Sequence, residues 1–272
     1  MSVFGELTGK VAVVTGGASG IGRGIAQRFV AQGMQVVIAD IEESSLNQTA
    51  LEIGAHPILT DVSDSKSVQT LADAVLKEFG RVDIVCNNAG VGPMANISDM
   101  TLDDWKWLIN VNLWGVIHGT HSFLPLLRSN PDGGHIINTS SIGGFATMPM
   151  LGGYSVTKYG VVALTEALAL ELKLAQSNVA CTVLIPGPVH TNIHHSSRNR
   201  PDTLQDSKLL DVDLNDVPEM AQIRWLEPED VGDLVISAIQ RKELYCFTHP
   251  ELFGAIGDRF AQIADANNAS QS

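Results

Sequence analysis

Thr15-Gly16-Gly17-Ala18-Ser19-Gly20-Ile21-Gly22 stands between an apolar run, Val11–Thr15, and an amphipathic stretch, Ile21–Gln32. Glycines so placed permit a tight turn and let the main chain approach a pyrophosphate closely. They also leave its negative charge facing the free N–H groups and positive dipole end of the helix that follows. The spacing is G-x-x-x-G-x-G, not G-x-G-x-x-G, and a plain glycine turn has the same composition, so the stretch needs company before it names a dinucleotide site. Such company arrives about twenty residues after the glycines, where the next apolar run ends at Asp40. A carboxylate there accepts hydrogen bonds from ribose hydroxyls and repels a 2′-phosphate. Neither the turn nor the residues just after Asp40 supply Arg or Lys to receive such a phosphate, which makes NAD the expected cofactor. The bland reading of Asp40 is a surface charge or helix cap.

Outward from the turn, runs rich in Val and Ile recur at Val11–Thr15, Gln35–Ala39, Pro57–Leu59, Val82–Cys86, His135–Thr139, Val179–Ile185 and Leu244–Phe247. They are continuous, not alternating, as strands covered on both faces are. Helical patterns at Ile21–Gln32, Glu42–Ile53, Ser65–Phe79, Leu102–Leu127, Ser155–Ala175 and Glu229–Gln240 lie between most of them. Strand alternating with helix predicts a doubly wound, seven-stranded parallel sheet with helices on both faces, in a single α/β domain over residues 1–272. No repeat or Pro/Gly-rich linker divides the chain. The polar segment Asn192–Trp225 breaks the alternation just after the sixth strand and reads as a lid over a ligand, or else as a disordered insertion. The tail after Ala264 reads as frayed.

Composition narrows the partners. A net charge of -13 from 17 basic and 30 acidic residues disfavours nucleic acid and anionic membrane. The N-terminus lacks a basic region followed by an apolar run, and no apolar stretch reaches the ~18 residues of a bilayer span. A cytoplasmic protein is therefore expected. Cys86, Cys181 and Cys246 each sit in or beside a strand-like run and read as reduced core residues, with no partner at metal-ligand spacing. His118 and His121, three apart on a helix, lack a third ligand, so no metal site is expected.

Further polar groups fall at the carboxyl ends of strands, where open α/β sheets bind ligands. Asp61-Val62 follow the third strand and Asn87-Asn88-Ala89-Gly90 the fourth. The fifth leads into Thr139-Ser140-Ser141, and thirteen positions after Ser141 comes Tyr154, with Lys158 four residues on. On a helix that spacing stacks ammonium near phenol. A cation favours the phenolate and lowers a pKa that is ordinarily about 10, making Tyr154 a usable general base for alcohol oxidation and a general acid in reverse. After the sixth strand comes Pro186-Gly187-Pro188-Val189-His190-Thr191.

In that order, TGGASGIG, Asp61-Val62, NNAG, Asn112, Ser141, YSVTK and PGPVHT resemble the short-chain dehydrogenase/reductases of the single-domain, Rossmann-fold type, over about Leu7 to Cys246. The resemblance implies that Ser141 hydrogen-bonds the substrate oxygen and Tyr154 transfers the proton. It also implies that Lys158 lowers the phenol pKa while binding the nicotinamide ribose, and that Asn112 holds a water linking Lys158 to solvent. The cofactor would meet Gly16, Ser19, Gly20, Ile21, Gly22, Asp40, Asp61, Val62, Asn88, Ala89 and Gly90. Its carboxamide would meet Pro186, Gly187, the Val189 backbone and the Thr191 hydroxyl. Fixing the carboxamide fixes which ring face meets the substrate.

Asn199-Arg200-Pro201, Glu227-Pro228 and Tyr245-Cys246-Phe247-Thr248-His249 resemble a branch acting on bulky aromatic alcohols, including lignin-derived aryl carbinols. Met94, Phe145, Met148, Met150 and Trp225 suit an apolar substrate pocket or, equally, core and interface packing. By the same resemblance the Leu102–Leu127 and Ser155–Ala175 helices pair across a two-fold axis, giving a homo-oligomer, a tetramer or dimer. The competing function is a catalytically silent NAD-binding sensor or scaffold, for which a tuned phenol is superfluous. An epimerase or dehydratase on the same fold normally needs a larger C-terminal substrate region than the residues after Gly187 provide.

Overall fold

The computed structural model describes residues 6–204, 207–218 and 222–269. Among these, one sheet holds seven strands: β1 (Val11–Thr15), β2 (Gln35–Asp40), β3 (His56–Leu59), β4 (Ile84–Asn87), β5 (Gly134–Thr139), β6 (Val179–Ile185) and β7 (Tyr245–Phe247). All neighbours are parallel and the order is β3-β2-β1-β4-β5-β6-β7. The chain winds one way through β3 and the other way from β4. A crevice therefore opens between the carboxyl ends of β1 and β4, the switch point where such sheets take ligands.

Eight α-helices complete the described fold: α1 (Gly20–Ala31), α2 (Glu43–Ile53), α3 (Ser65–Phe79), α4 (Leu102–Ile109), α5 (Gly115–Ser129), α6 (Gly152–Leu174), α7 (Pro228–Arg241) and α8 (Phe253–Ala269). The period of two in a strand divides each apolar run between two layers. In β1, Ala12 and Val14 join Ile25, Phe29, Leu46 and Ile239, from α1, α2 and α7. Val11 and Val13 join Leu71, Phe123 and Leu168, from α3, α5 and α6, on the other face. Both sides are buried, which is why the sequence shows runs instead of alternation. β3 and β7 are the edge strands, and Pro57 sits in β3, where a residue without an N–H is tolerated.

Three details depart from the sequence expectation. The single helix expected over Leu102–Leu127 is interrupted by a π turn at Asn110–Trp114, a widening that periodicity cannot reveal because apolar spacing is nearly preserved through it. α6 starts at Gly152, so Tyr154 lies in its first turn. The tail expected to fray after Ala264 is the end of α8 and helical through Ala269, although Ile256 is the one buried residue of that helix; residues 270–272 lie outside the described chain. Cys86, Cys181 and Cys246 are free and buried, as expected, and burial raises all three thiols.

α1 and α7 touch through glycine. A Cβ on Gly24 would stand 2.2 Å from the Pro228 backbone, so the helix carrying the glycine turn is seated by an absent side chain. Gly24→Ala is expected to cost about 1–3 kcal/mol and lower the melting temperature. Gly257→Ala, where nothing lies within 4 Å of the added carbon, should be neutral or stabilising by up to about 1 kcal/mol. Equal melting temperatures for the two variants contradict this account of the α1–α7 contact.

Candidate active site

The hydroxyl of Thr15, last residue of β1, accepts from the backbone N–H of Asn88 at 2.9 Å and of Ala89 at 3.1 Å and donates to the Cys86 carbonyl at 3.3 Å. Asn88 donates its amide to the Thr15 carbonyl at 3.1 Å and accepts from the Thr139 hydroxyl at 3.2 Å. The ends of β1, β4 and β5 are thus tied across the switch point. Gly16, at φ +66°, turns the chain where a Cβ would lie 2.8 Å from Ala89 Cα. A Cβ on Gly22 would lie 2.1 Å from the Gly16 carbonyl oxygen. Ser19 precedes α1 without capping it by its side chain, which leaves the first-turn N–H groups for a ligand. The cradle fits a pyrophosphate for that reason.

Asp40 lies beside this turn. Its carboxylate accepts from Ala18 N–H and Glu42 N–H, each at 3.1 Å. Burial raises its pKa, opposed by those two bonds. Asp40 is thus a turn-fixing group, and a carboxylate so bonded keeps lone pairs for a ribose. Asp61 bends back instead, accepting from the Ser63 N–H at 2.9 Å and hydroxyl at 2.7 Å. The Val62 carbonyl meets His118 Nδ1 at 2.9 Å, and the His118 ring stacks on Trp114. Among the described residues no group of three or more His, Cys, Asp and Glu could hold a metal ion.

Across the crevice, Ser141 and Ser140 separate cleanly. Ser140 is buried and donates to the Lys158 carbonyl at 2.9 Å. Ser141 accepts from Gly143 N–H at 3.1 Å and favours the ionised form of Tyr154. Lys158 is buried; its Nζ donates to the Thr139 carbonyl at 3.0 Å and lies 5.6 Å from the Tyr154 ring centre. The Asn112 amide is fully engaged, accepting from Val91 N–H and donating to Val91 O, both at 2.8 Å, and reaching Thr157 Oγ1 at 3.3 Å. That clamp, from inside the π turn, holds the Asn88-Ala89-Gly90 strand end against Lys158. Burial pushes the Lys158 ammonium down to about 8 and the Tyr154 phenol up. Within the protein alone, then, burial outweighs the lowering expected from Lys158.

The loop after β6 joins both halves. Ile142 N–H donates to Pro186 O at 2.9 Å, linking the serine turn to Pro186-Gly187-Pro188. Val189 bridges Leu226, and Thr191 Cγ2 would lie 3.0 Å from a Cβ on Gly20. Of the segment 192–225, residues 205–206 and 219–221 lie outside the described chain. Ile193 and Tyr154 flank Gly92, and Gly92 N–H donates to the Ser196 hydroxyl at 3.0 Å. Met94 and Leu210 pair antiparallel, and Leu204 and Leu209 pack on Val91, Trp107 and Leu108. Arg200 pairs with the buried Asp104 at 2.6 Å, and Arg198 and Asn199 bond Glu42 beside Asp40. Phe145 turns away from this region and packs on Phe247 and Tyr245, so it is core filler. Ile193 and Ser196 escaped sequence reasoning because no motif marks them; the Gly92 opposite was the only local signal.

The sequence profile described as short chain dehydrogenase matches residues 10–202. The chain belongs to the short-chain dehydrogenase family. The chain is 34% identical over 250 residues to "Probable oxidoreductase EphD" of Mycobacterium tuberculosis, across 90% of its own length but 42% of that protein's. The chain therefore spans less than half of that relative. It is 31% identical over 265 residues to the C alpha-dehydrogenase of Sphingobium sp. strain SYK-6, covering 94% and 86% of the two chains. A short chain dehydrogenase/reductase from Burkholderia phymatum, crystallised in complex with NAD, superposes with a TM-score of 0.90 at 35% identity, covering 95% of each chain. The family consists of nicotinamide-dependent oxidoreductases, and the glycine cradle and Asp40 suit that cofactor.

The two serines give a test that needs no substrate. Ser140→Ala removes a buried hydrogen bond and should cost about 1 kcal/mol of unfolding free energy. Ser141→Ala loses the bond from Gly143 N–H in a short, partly exposed turn and should cost about 0.5 kcal/mol, the low end for a lost cap. A reversed order in thermal denaturation contradicts the division of labour between them.

Proposed function

We propose that this dehydrogenase interconverts a secondary alcohol and its ketone with NAD, in the cytoplasm, where its three buried thiols stay reduced. The observation that carries the reading is the convergence of Ser141, Tyr154 and Lys158 beside Gly90, at the open edge of the switch point. Ser141 holds the substrate oxygen against the phenol. Tyr154 takes the hydroxyl proton of an alcohol or returns it to a ketone. Lys158 holds the nicotinamide ribose and biases Tyr154 toward the phenolate once the site is full. Bound NAD supplies the hydride acceptor and a positive ring charge that opposes the burial cost of a phenolate. Asn112 keeps the Gly90 edge and Lys158 in register and, in this reading, holds a water that connects Lys158 to solvent.

The nucleotide lies along Gly16, Ser19, Gly20, Ile21 and Gly22, with Asp40 on the adenosine ribose and Asp61-Val62 and Asn88-Ala89-Gly90 along the adenine and second ribose. Pro186, Gly187, Val189 and Thr191 take the carboxamide. Segment 192–225 acts as the lid, with Ile193 and Met94 giving the substrate space an apolar wall. Likeness to the C alpha-dehydrogenase supports a bulky, aromatic carbinol. Leu102, Trp114, Val156, Leu170 and Leu174, exposed on α4 to α6, support pairing of those helices in a dimer or tetramer. No observation favours the silent sensor or scaffold.

The direct experiment is a panel of aryl and alicyclic secondary alcohols with NAD, followed by NADH absorbance. Tyr154→Phe should lower kcat by about 10²–10⁴-fold, with NAD affinity within about twofold of the parent. Retained turnover removes Tyr154 from the proposed chemistry. Asp40→Ala should weaken NAD about tenfold, as loss of a charge-assisted bond does, and narrow the preference over NADP. An unchanged preference rules out the ribose contact.

A further inference from the structure

The stretch around Asp40 carries no Arg or Lys in sequence, yet the fold brings two guanidinium groups to it. A cavity of about 240 Å³ opens beside Asp40. It is lined in part by Ala18 and Glu42, whose backbone N–H groups bond that carboxylate, and by Ser19, Arg23, Asn192 and Arg198. Arg23 comes from α1 and Arg198 from the short helical stretch Ile193–Asn199. Each cation has a carboxylate of its own. Arg23 Nη2 donates to Glu52 at 2.9 Å, and Arg198 Nη2 donates to Glu42, to which Asn199 also gives its amide at 2.8 Å.

Arg198 does not depend on Glu42 for its place. Its Nη1 donates to the His195 carbonyl at 2.7 Å and the Asn192 carbonyl at 3.4 Å. The guanidinium is thus held by its own helical stretch and spends its other nitrogen, Nη2, on Glu42. Burial pushes the Glu42 carboxyl up, but the bonds from Arg198 and Asn199 and the Arg198 charge outweigh it and hold Glu42 below its ordinary pKa. Glu42 is therefore ionised near neutrality, and the pair carries no net charge. Both side chains are partly exposed, and an ion pair in such a place adds little to stability. Its larger consequence is electrostatic. A guanidinium is a planar fork that matches a phosphate, and here it stands next to the carboxylate that would meet the adenosine ribose.

We propose that Glu42 is a specificity-determining residue: by occupying Arg198 and Asn199 it withholds a phosphate-binding group from the 2′ position, so that Asp40 and Glu42 share the choice of NAD over NADP. This deepens, and rests on, the reading of Asp40 as the ribose contact. It requires no movement of the stretch that carries Arg198. Asp40 acts directly, by bonding a ribose hydroxyl and repelling a phosphate. Glu42 acts by cancelling the charge that would attract one.

The test is the binding of NAD and NADP, by calorimetry, across a double-mutant cycle at Glu42 and Arg198. Glu42→Gln should tighten NADP about tenfold, the scale of one charge-assisted bond at a partly exposed site, and leave NAD within about twofold. Arg198→Ala alone should leave NAD within about twofold and should not tighten NADP. Combined with Glu42→Gln, it should erase the NADP gain. The same cycle in the Asp40→Ala background, where that repelling carboxylate is gone, brings weak NADP binding into measurable range. Absence of an NADP gain in both backgrounds overturns the inference. So does a gain that survives Arg198→Ala, which reports only the loss of a negative charge, or equal tightening of both nucleotides, which places Arg198 on the pyrophosphate. In each of these outcomes NAD still binds and the dinucleotide site stands. A parent protein that binds neither nucleotide overturns the dinucleotide reading, and the inference with it.

Discussion

A single hydroxyl, that of Thr15, bridges the place where the sheet changes direction. In a doubly wound sheet the connections leave the switch point in opposite directions, and the β1–β4 ladder ends at Val14 and Cys86, so beyond it side chains and loop backbone set how the two strand ends meet. Thr15 makes that join by accepting two N–H groups of the Asn88-Ala89 turn. From it a continuous path runs through Asn88 to the Thr139 hydroxyl, and from the Thr139 carbonyl to the Lys158 ammonium. The glycine turn and the tyrosine-lysine helix are thereby referenced to the same atoms, though they are more than a hundred residues apart in sequence. Any slack at Thr15 would be felt at both ends of a bound dinucleotide.

The electrostatic consequence follows from burial. Lys158 is depressed to about 8 and Tyr154 is raised, each because a charge there would lose water. A phenol and an ammonium buried together are stable enough near neutrality, but they make a poor base. A nearby positive charge shifts the balance toward phenolate, because it repays desolvation that the protein has already imposed. A water-exposed tyrosine would gain far less from the same charge. The cost of burying the pair is thus what makes its proton affinity responsive to the contents of the crevice.

Much of this was legible in the chain. The seven apolar runs gave the strands, with ends within a few residues of those observed, because the inner strands are buried on both faces and so apolar along their length, while the edge strands β3 and β7 are short and only partly covered. The glycine turn, Asp40, Ser141, Tyr154 and Lys158 were legible because each sits at a carboxyl strand end or at helical spacing. The π turn around Asn112 was not, since it changes hydrogen-bond partners without changing which residues are apolar. Nor was the helicity of α8, whose polar DANNA stretch lacks the periodic burial that announces a packed helix. Ser196, Ile193 and the Arg200–Asp104 pair were out of reach for another reason: their partners are distant in sequence, and no local rule pairs a serine with Gly92.

Those distant contacts hold one segment independently of the rest of the site. The sheet, the glycine turn and α6 are bound by mutual geometry, so changing one strains the others. Segment 192–225 is held differently, by a small apolar cluster over Trp107 and Leu108, one buried ion pair, and a polar anchor at Glu42. Each of these can be exchanged without disturbing Thr15 or Lys158. A buried ion pair adds little net stability over an apolar contact of the same size, but breaking it by removing one partner is costly. Arg200 and Asp104 therefore fix the position of the segment over α4 more than they add net stability. Ile193 and Ser196, which meet Gly92 beside Tyr154, belong to the same stretch, so a shift at Arg200 would reach them along the chain without passing through Thr15 or Lys158.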